Sequence, residues 1–170
     1  ARCSGMYLGA VLGLAYQGVT GRRRVGMPAR SVLVVFGAFF VAFCVDGVNS
    51  YFHLFPGFTG IYEPHNGLRL LTGTGMGLVM AGLVYPAFNQ TIWQGWEPTP
   101  VFKGLRSLLP LILLALALDA VVLTENPLIL YPLALISAAG VLLLLTLAYS
   151  MVWLMIFRAE NRFLSARQML

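Results

Sequence analysis

Charge is what this chain has least of. Of its 170 residues only 10% are Asp, Glu, Lys or Arg, and 59% are hydrophobic, with a mean hydropathy of +0.82. A soluble domain carries about 25% charged residues, and five long apolar runs leave no room here for a separate soluble domain. Cysteine is almost as scarce. Cys3 and Cys44 alone make no disulfide framework. No Ser/His/Asp order, Walker loop or dinucleotide fingerprint occurs, and no 20–50-residue repeat. The glycines of Thr72-Gly73-Thr74-Gly75-Met76-Gly77 lie in an apolar helical stretch, which excludes a phosphate loop. Nothing has the charged n-region and cleavage site of a signal peptide. The alternation that a transmembrane β-barrel requires is missing from runs such as Leu108–Leu118.

What remains is an all-α, polytopic transmembrane helical bundle. The apolar runs predict five spans, roughly 4–20, 31–52, 66–88, 105–123 and 128–157, forming a bundle over 1–157. A basic tail, 158–170, follows with Arg158, Arg162 and Arg167. It suits either an amphipathic surface helix or a partner's docking site.

The net charge of +5 does not indicate nucleic acid, because the basic residues cluster beside the apolar runs. Arg22, Arg23, Arg24 and Arg30 follow the first span, Lys103 and Arg106 flank the start of the fourth, and three arginines follow the fifth. The second loop and the fourth turn carry no Lys or Arg. With five spans all basic segments fall on one side, which the positive-inside rule places in the cytoplasm. The expected topology is therefore amino terminus outside, carboxyl terminus cytoplasmic, in the cell (inner or plasma) membrane. The implied partners are the lipid bilayer and other membrane subunits.

Three ionisable residues stand inside the spans: Asp46, Arg69 and Asp119. A charge at the centre of a membrane helix costs about 3 kcal/mol on insertion scales, so such residues face the bundle interior, pair, or line a site. At about 1.5 Å per residue, Asp46 lies about 24 Å from the cytoplasmic end of its span, Asp119 about 21 Å, and Arg69 about 5 Å below the outer boundary. All three fall in the outer third of the membrane, and an Asp46–Arg69–Asp119 cluster is the expectation. Asn49 and His53 share a helix face with Asp46 at i+3 and i+7, and Asn66 shares one with Arg69. Glu63, Tyr62 and His65 sit in the loop above, and Arg2 and Cys3 at the outer start of the first span. The inner half shows almost no polar side chains, which argues against a proton wire across the bilayer.

Three readings of these charges stay open: a buried ion-pair network fixing helix register, a ligand site, or an interfacial Arg69 that snorkels. Zinc needs four Cys, His or carboxylate ligands. Cys3, His53, His65 and Asp46 or Glu63 offer the donor types without a tight ligand spacing. No metal and no cofactor is assigned. Cys44 lies about 200° around its helix from Asp46 and is expected to pack in the apolar bundle.

Gly5, Gly9 and Gly13 recur every four residues, as do Gly73 and Gly77. Small residues at this spacing let helices approach closely. The first and third spans are therefore expected to touch, bringing Cys3 and Tyr7 towards Arg69. Trp93 and Trp96 read as an inner-interface anchor.

The motifs Arg2-Cys3-Ser4-Gly5-x-Tyr7-x-Gly9, Asp46-Gly47-x-Asn49 and Asn66-x-x-Arg69-x-x-Thr72-Gly73 resemble the prokaryotic integral membrane proteins of domain of unknown function 2085. The resemblance covers the first three spans. In that family a Cys-His-Gln segment and a further Cys precede this point, and this sequence starts at Ala1, without them. The resemblance implies that any metal or thiol site of the family needs residues upstream of Ala1, with Cys3 alone carried over. It implies no known reaction. The sequence thus suggests a small membrane protein with a polar site at its outer face, or a non-catalytic accessory subunit, or a metal- or thiol-dependent enzyme completed by upstream residues.

Overall fold

Without water to satisfy backbone amides, a membrane-embedded chain must close its hydrogen bonds within helices, and helices dominate the computed structural model. It describes residues 1–21, 23–53, 55, 60–158 and 160. Among these the order is α1 (Arg2–Thr20), β1 (Arg24–Gly26), α2 (Arg30–Phe52), α3 (Asn66–Ile92), β2 (Glu97–Pro100), α4 (Leu105–Val122) and α5 (Pro127–Ile156). Helices α2 to α5 are each long and apolar enough to cross a membrane. Helix α1, with 19 residues rich in Gly, Ser, Gln and Thr, is not among them. Residues 161–170, including Arg162 and Arg167, lie outside the described residues.

α1 packs chiefly on α3. A Cβ on Gly5 would sit 2.7 Å from the Leu70 carbonyl oxygen, and one on Gly13 would sit 2.6 Å from Ala81 Cβ. The absent side chains of Gly73 and Gly77 make room for the backbone of Arg2 and Met6. Backbone thus lies against backbone at Gly5, Gly9, Gly73 and Gly77, which only glycine permits. Gln17, fully buried on α1, donates from Nε2 to the Ala81 carbonyl of α3 at 2.9 Å and to Gly13 at 3.2 Å.

The short parallel pair β1–β2, with Arg24 opposite Glu97 and Gly26 opposite Pro100, departs from an all-helical expectation. Three residues, Arg-Val-Gly, carry no strand periodicity. The pair forms because α2 runs away from this end and α3 returns to it, bringing the two loops together. Glu97 N donates to Arg23 O at 3.0 Å, Ala29 N to Phe102 O at 3.1 Å, and Asn89 Nδ2 to Arg24 O at 3.1 Å. Phe102 plugs the junction. It is 1% exposed, edge-on to Phe36 and stacked with Tyr16. Around it lie Val32, Leu78, Val79, Leu108, Leu111 and Ala115, the larger of two buried apolar clusters.

Several expectations need correction. The third helix runs to Ile92, not Phe88, so Trp93 caps it rather than standing free in a loop. Its indole donates to Asn89 at 3.1 Å, and the Arg23 guanidinium lies 4.9 Å from its ring. The half of the bundle near β1–β2 is not devoid of polar groups, since Gln17, Asn89 and Thr91 are buried there. Each finds a backbone carbonyl to bond, which lets a polar side chain sit within the bundle. Cys44 is exposed. Asp46 faces the bundle interior, so a residue about 200° away on the same helix must face outward.

Candidate polar site at the α1 amino-terminal end

At the end opposite the strands, Asp46 is 1% exposed near the close of α2. Its partner is Arg2, the first residue of α1. Arg2 Nε donates to Asp46 Oδ2 at 3.0 Å and Nη2 to the same oxygen at 2.5 Å. Nη2 also reaches the Asp46 carbonyl at 3.0 Å and Ser50 Oγ at 2.8 Å. Tyr62 Oη donates to the other carboxylate oxygen, Oδ1, at 2.7 Å. Thr72 Oγ1 stands 3.3 Å from Oδ2, but it has one proton and lies closer, 2.9 Å, to the Leu68 carbonyl. Both carboxylate oxygens are therefore satisfied without Thr72. Burial, and then the hydrogen bond to Asp46, hold the Tyr62 phenol above its ordinary value.

The face that carries Asp46 also templates the loop that follows. Asn49 Oδ1 accepts from Ile61 N at 2.7 Å, and its Nδ2 donates to Tyr62 O at 2.8 Å. His53 Nδ1 accepts from Gly60 N at 3.1 Å. That bond leaves the ring proton on Nε2, which donates to Tyr62 O at 2.8 Å. Asp46, Asn49 and His53 thus grip residues 60–62 at successive turns. Gly60 is required there, since a Cβ would sit 2.5 Å from Asn49 Oδ1.

The three charges expected to meet do not form one cluster. Asp119 is 6% exposed on α4; its Oδ1 accepts from Thr74 Oγ1 at 2.6 Å, while Oδ2 is buried without a partner. Among the described residues no ion pair joins Arg69 to either acid, and Arg69 Nε is buried without a partner. Two geometric facts separate them. Thr74, which marks the depth of Asp119 on α3, lies five residues beyond Arg69, about 7.5 Å along the axis. Helical side chains also lean towards their own amino terminus, so Arg69 leans away from Asp119. The place at Asp46 is then filled by Arg2, because the Gly73 contact draws the start of α1 against α3.

The remaining candidates stand apart from this network. Cys3 is exposed beside Arg2. Tyr7 packs against the smaller apolar cluster of Ala10, Leu14, Ala81 and Leu144. His65 precedes α3 without capping it through its side chain, and Asn66, its first residue, is exposed. Among the described residues no group of three or more His, Cys, Asp and Glu is placed to hold a metal ion. Ser50 and Thr74 were not singled out from sequence. Ser50, at i+4 from Asp46, was open to the same facial argument as Asn49; nothing local marks Thr74.

The family described as a predicted membrane protein, domain of unknown function 2085, matches residues 1–83. The chain resembles it over α1, α2 and most of α3, a stretch that holds Arg2, Asp46, Tyr62 and Arg69 but not Asp119. No curated protein and no solved structure matches the chain.

Proposed function

We propose that this membrane protein crosses the cell membrane five times, with its amino terminus outside, and binds an anionic group at its extracytoplasmic end through Arg69. One observation carries the reading. Arg2 takes up Asp46 and Thr74 takes up Asp119, so Arg69 is left with a buried Nε and no acid within ion-pair distance among the described residues. Arg69 as a whole is half-buried, but a guanidinium nitrogen held out of water without a partner is costly, and a bound anion supplies one. Arg2, Asp46 and Tyr62 position the surroundings; they do not bind the ligand. The topology draws support from the β1–β2 pair, which joins the first and third loops, the two that carry Lys or Arg and fall on one side, at the other end.

The test uses purified protein in mild detergent at constant ionic strength. Sulfate or phosphate in place of chloride is expected to raise its Tm, and Arg69→Gln to abolish that rise. An equal rise in Arg69→Gln sinks the reading. A membrane-impermeant maleimide applied to intact cells is expected to label Cys3, which checks the orientation separately.

A second reading, an accessory subunit of a larger membrane assembly, rests on α2. Gly5, Gly9 and Gly13 of α1 and Gly73 and Gly77 of α3 are used up within the chain. Gly37, Ala38 and Ala42 remain exposed, lining an open groove of about 520 Å³ between α2 and α3. Purification in mild detergent decides it: a stoichiometric partner supports a subunit, a lone chain argues against one.

A further inference from the structure

The end of the bundle that carries β1 and β2 has a second concave surface. It is an open groove of about 510 Å³ lined by Ser31, Lys103, Gly104, Leu105, Arg106 and Ser107. Its position is fixed by Phe102. That ring is buried in the larger apolar cluster, and its carbonyl accepts from Ala29 N at 3.1 Å, so the residues on either side of the two loops are held together. Lys103 therefore follows a rigid anchor, and Ser31 opens the helix tied to it.

The groove is strongly cationic and uncompensated. Lys103 and Arg106 are exposed on its wall, Arg30 is exposed next to Ser31, and among the described residues none of the three has an ion pair. Glu97, an acid at this end, stands 3.7 Å from Arg24 instead. Both α2 and α4 begin here, so the first amides of two helices, which have no intrahelical acceptors, add to the positive field. Ser107 closes the turn of α4: its hydroxyl donates to Gly104 O at 2.6 Å and accepts from Gly104 N at 3.2 Å.

Directly below the cations the surface becomes apolar. Leu105, Leu109, Leu113 and Leu116 are each 46–58% exposed. They recur along α4 at i, i+4, i+8 and i+11, one continuous stripe. A free phosphate uses only the cationic rim. An anionic amphiphile uses both parts, with its phosphate among Lys103, Arg106 and the helix starts, and its acyl chain along the leucines.

We infer that this groove binds the headgroup of an anionic phospholipid. Basic residues at a membrane surface each strengthen binding to anionic lipid several-fold, and here two converge on one cavity. The site is independent of the anion site at the other end.

The experiment is native mass spectrometry of the full chain released from nanodiscs of phosphatidylglycerol and phosphatidylcholine in equal parts. The intact protein is expected to retain phosphatidylglycerol over phosphatidylcholine by on the order of ten-fold, and Lys103→Gln/Arg106→Gln to lose that preference. A control, Arg158→Gln/Arg162→Gln, makes the same charge change elsewhere and is expected to keep it. Equal retention of both lipids by the intact protein overturns the inference. So does an equal loss in the control, which would mean bulk charge alone. Displacement of the retained lipid by inorganic phosphate overturns the lipid assignment in favour of a free-phosphate site. Lys103 and Arg106 are exposed, so a Tm within a few degrees of the parent is expected and shows that the loss is not unfolding.

Discussion

Arg2 Nη2 lies 2.5 Å from Asp46 Oδ2, so the first residue of α1 is ion-paired to a buried carboxylate 44 positions later. The pair holds the amino terminus of one helix against the end of another. Removing one partner of a buried pair costs about 3–5 kcal/mol, because the other charge is left unpaired. Arg2→Gln is therefore expected to lower the Tm sharply. Arg2→Gln/Asp46→Asn should recover much of the loss, since no bare carboxylate remains. Thermal unfolding in detergent checks both, and a double variant no better than the single would show that the charge pairing is not the source of stability.

Tyr62 contributes to the same carboxylate, with a pH signature. Its folded value is raised above the unfolded value of 10.0. The sign follows from linkage: a raised value favours the protonated folded form, so the contribution is fully present below pH 10 and is lost as pH rises through the folded value. Tyr62→Phe is expected to cost about 1–3 kcal/mol at neutral pH, because Asp46 Oδ1 loses its donor. The gap in Tm between parent and variant should stay constant up to about pH 10 and shrink above it. A gap that already closes between pH 6 and 8 would assign the effect to another group.

The α1–α3 contact predicts a contrast between glycines. A Cβ on Gly77 would collide with the Met6 carbonyl and lie 2.6 Å from Ala10 N, both backbone atoms that cannot turn aside. Gly77→Ala is expected to destabilise by about 1–3 kcal/mol or more. Gly18, near the end of α1, has nothing within 4 Å of its would-be Cβ. Gly18→Ala should be neutral or stabilising by about 0.5–1 kcal/mol, from helix propensity. Comparable losses for both would mean the two helices are not in backbone contact.

Asp119 depends on one hydrogen bond. Asp119→Asn keeps an acceptor for Thr74 Oγ1 while replacing a carboxyl whose Oδ2 is bare, so the Tm is expected to hold or rise. Thr74→Val removes the recorded donor and should cost about 1–3 kcal/mol. If Asp119→Asn proves the more damaging of the two, Asp119 has a partner that binds its charge, and titration with monovalent cations would identify it.

Hydropathy and charge placement in the sequence determined the class of protein, the five helical segments, and the concentration of Asp46, Asn49, His53 and Arg69 towards one end. These are local properties. A twenty-residue apolar run is a helix in lipid whatever its neighbours, and i, i+3, i+7 spacing sets a shared face within one helix. Which cation meets which acid is not local. Asp46 took Arg2 rather than Arg69 because Gly73 lets α1 approach α3 more closely than a side chain would allow. Asp119 went to Thr74 because α4 meets α3 more than a turn deeper than Arg69. The β1–β2 pair and the seat of Phe102 likewise depend on where two returning helices end. Such pairings turn on rotations between helices that hydropathy leaves free, so only the packed bundle decided them.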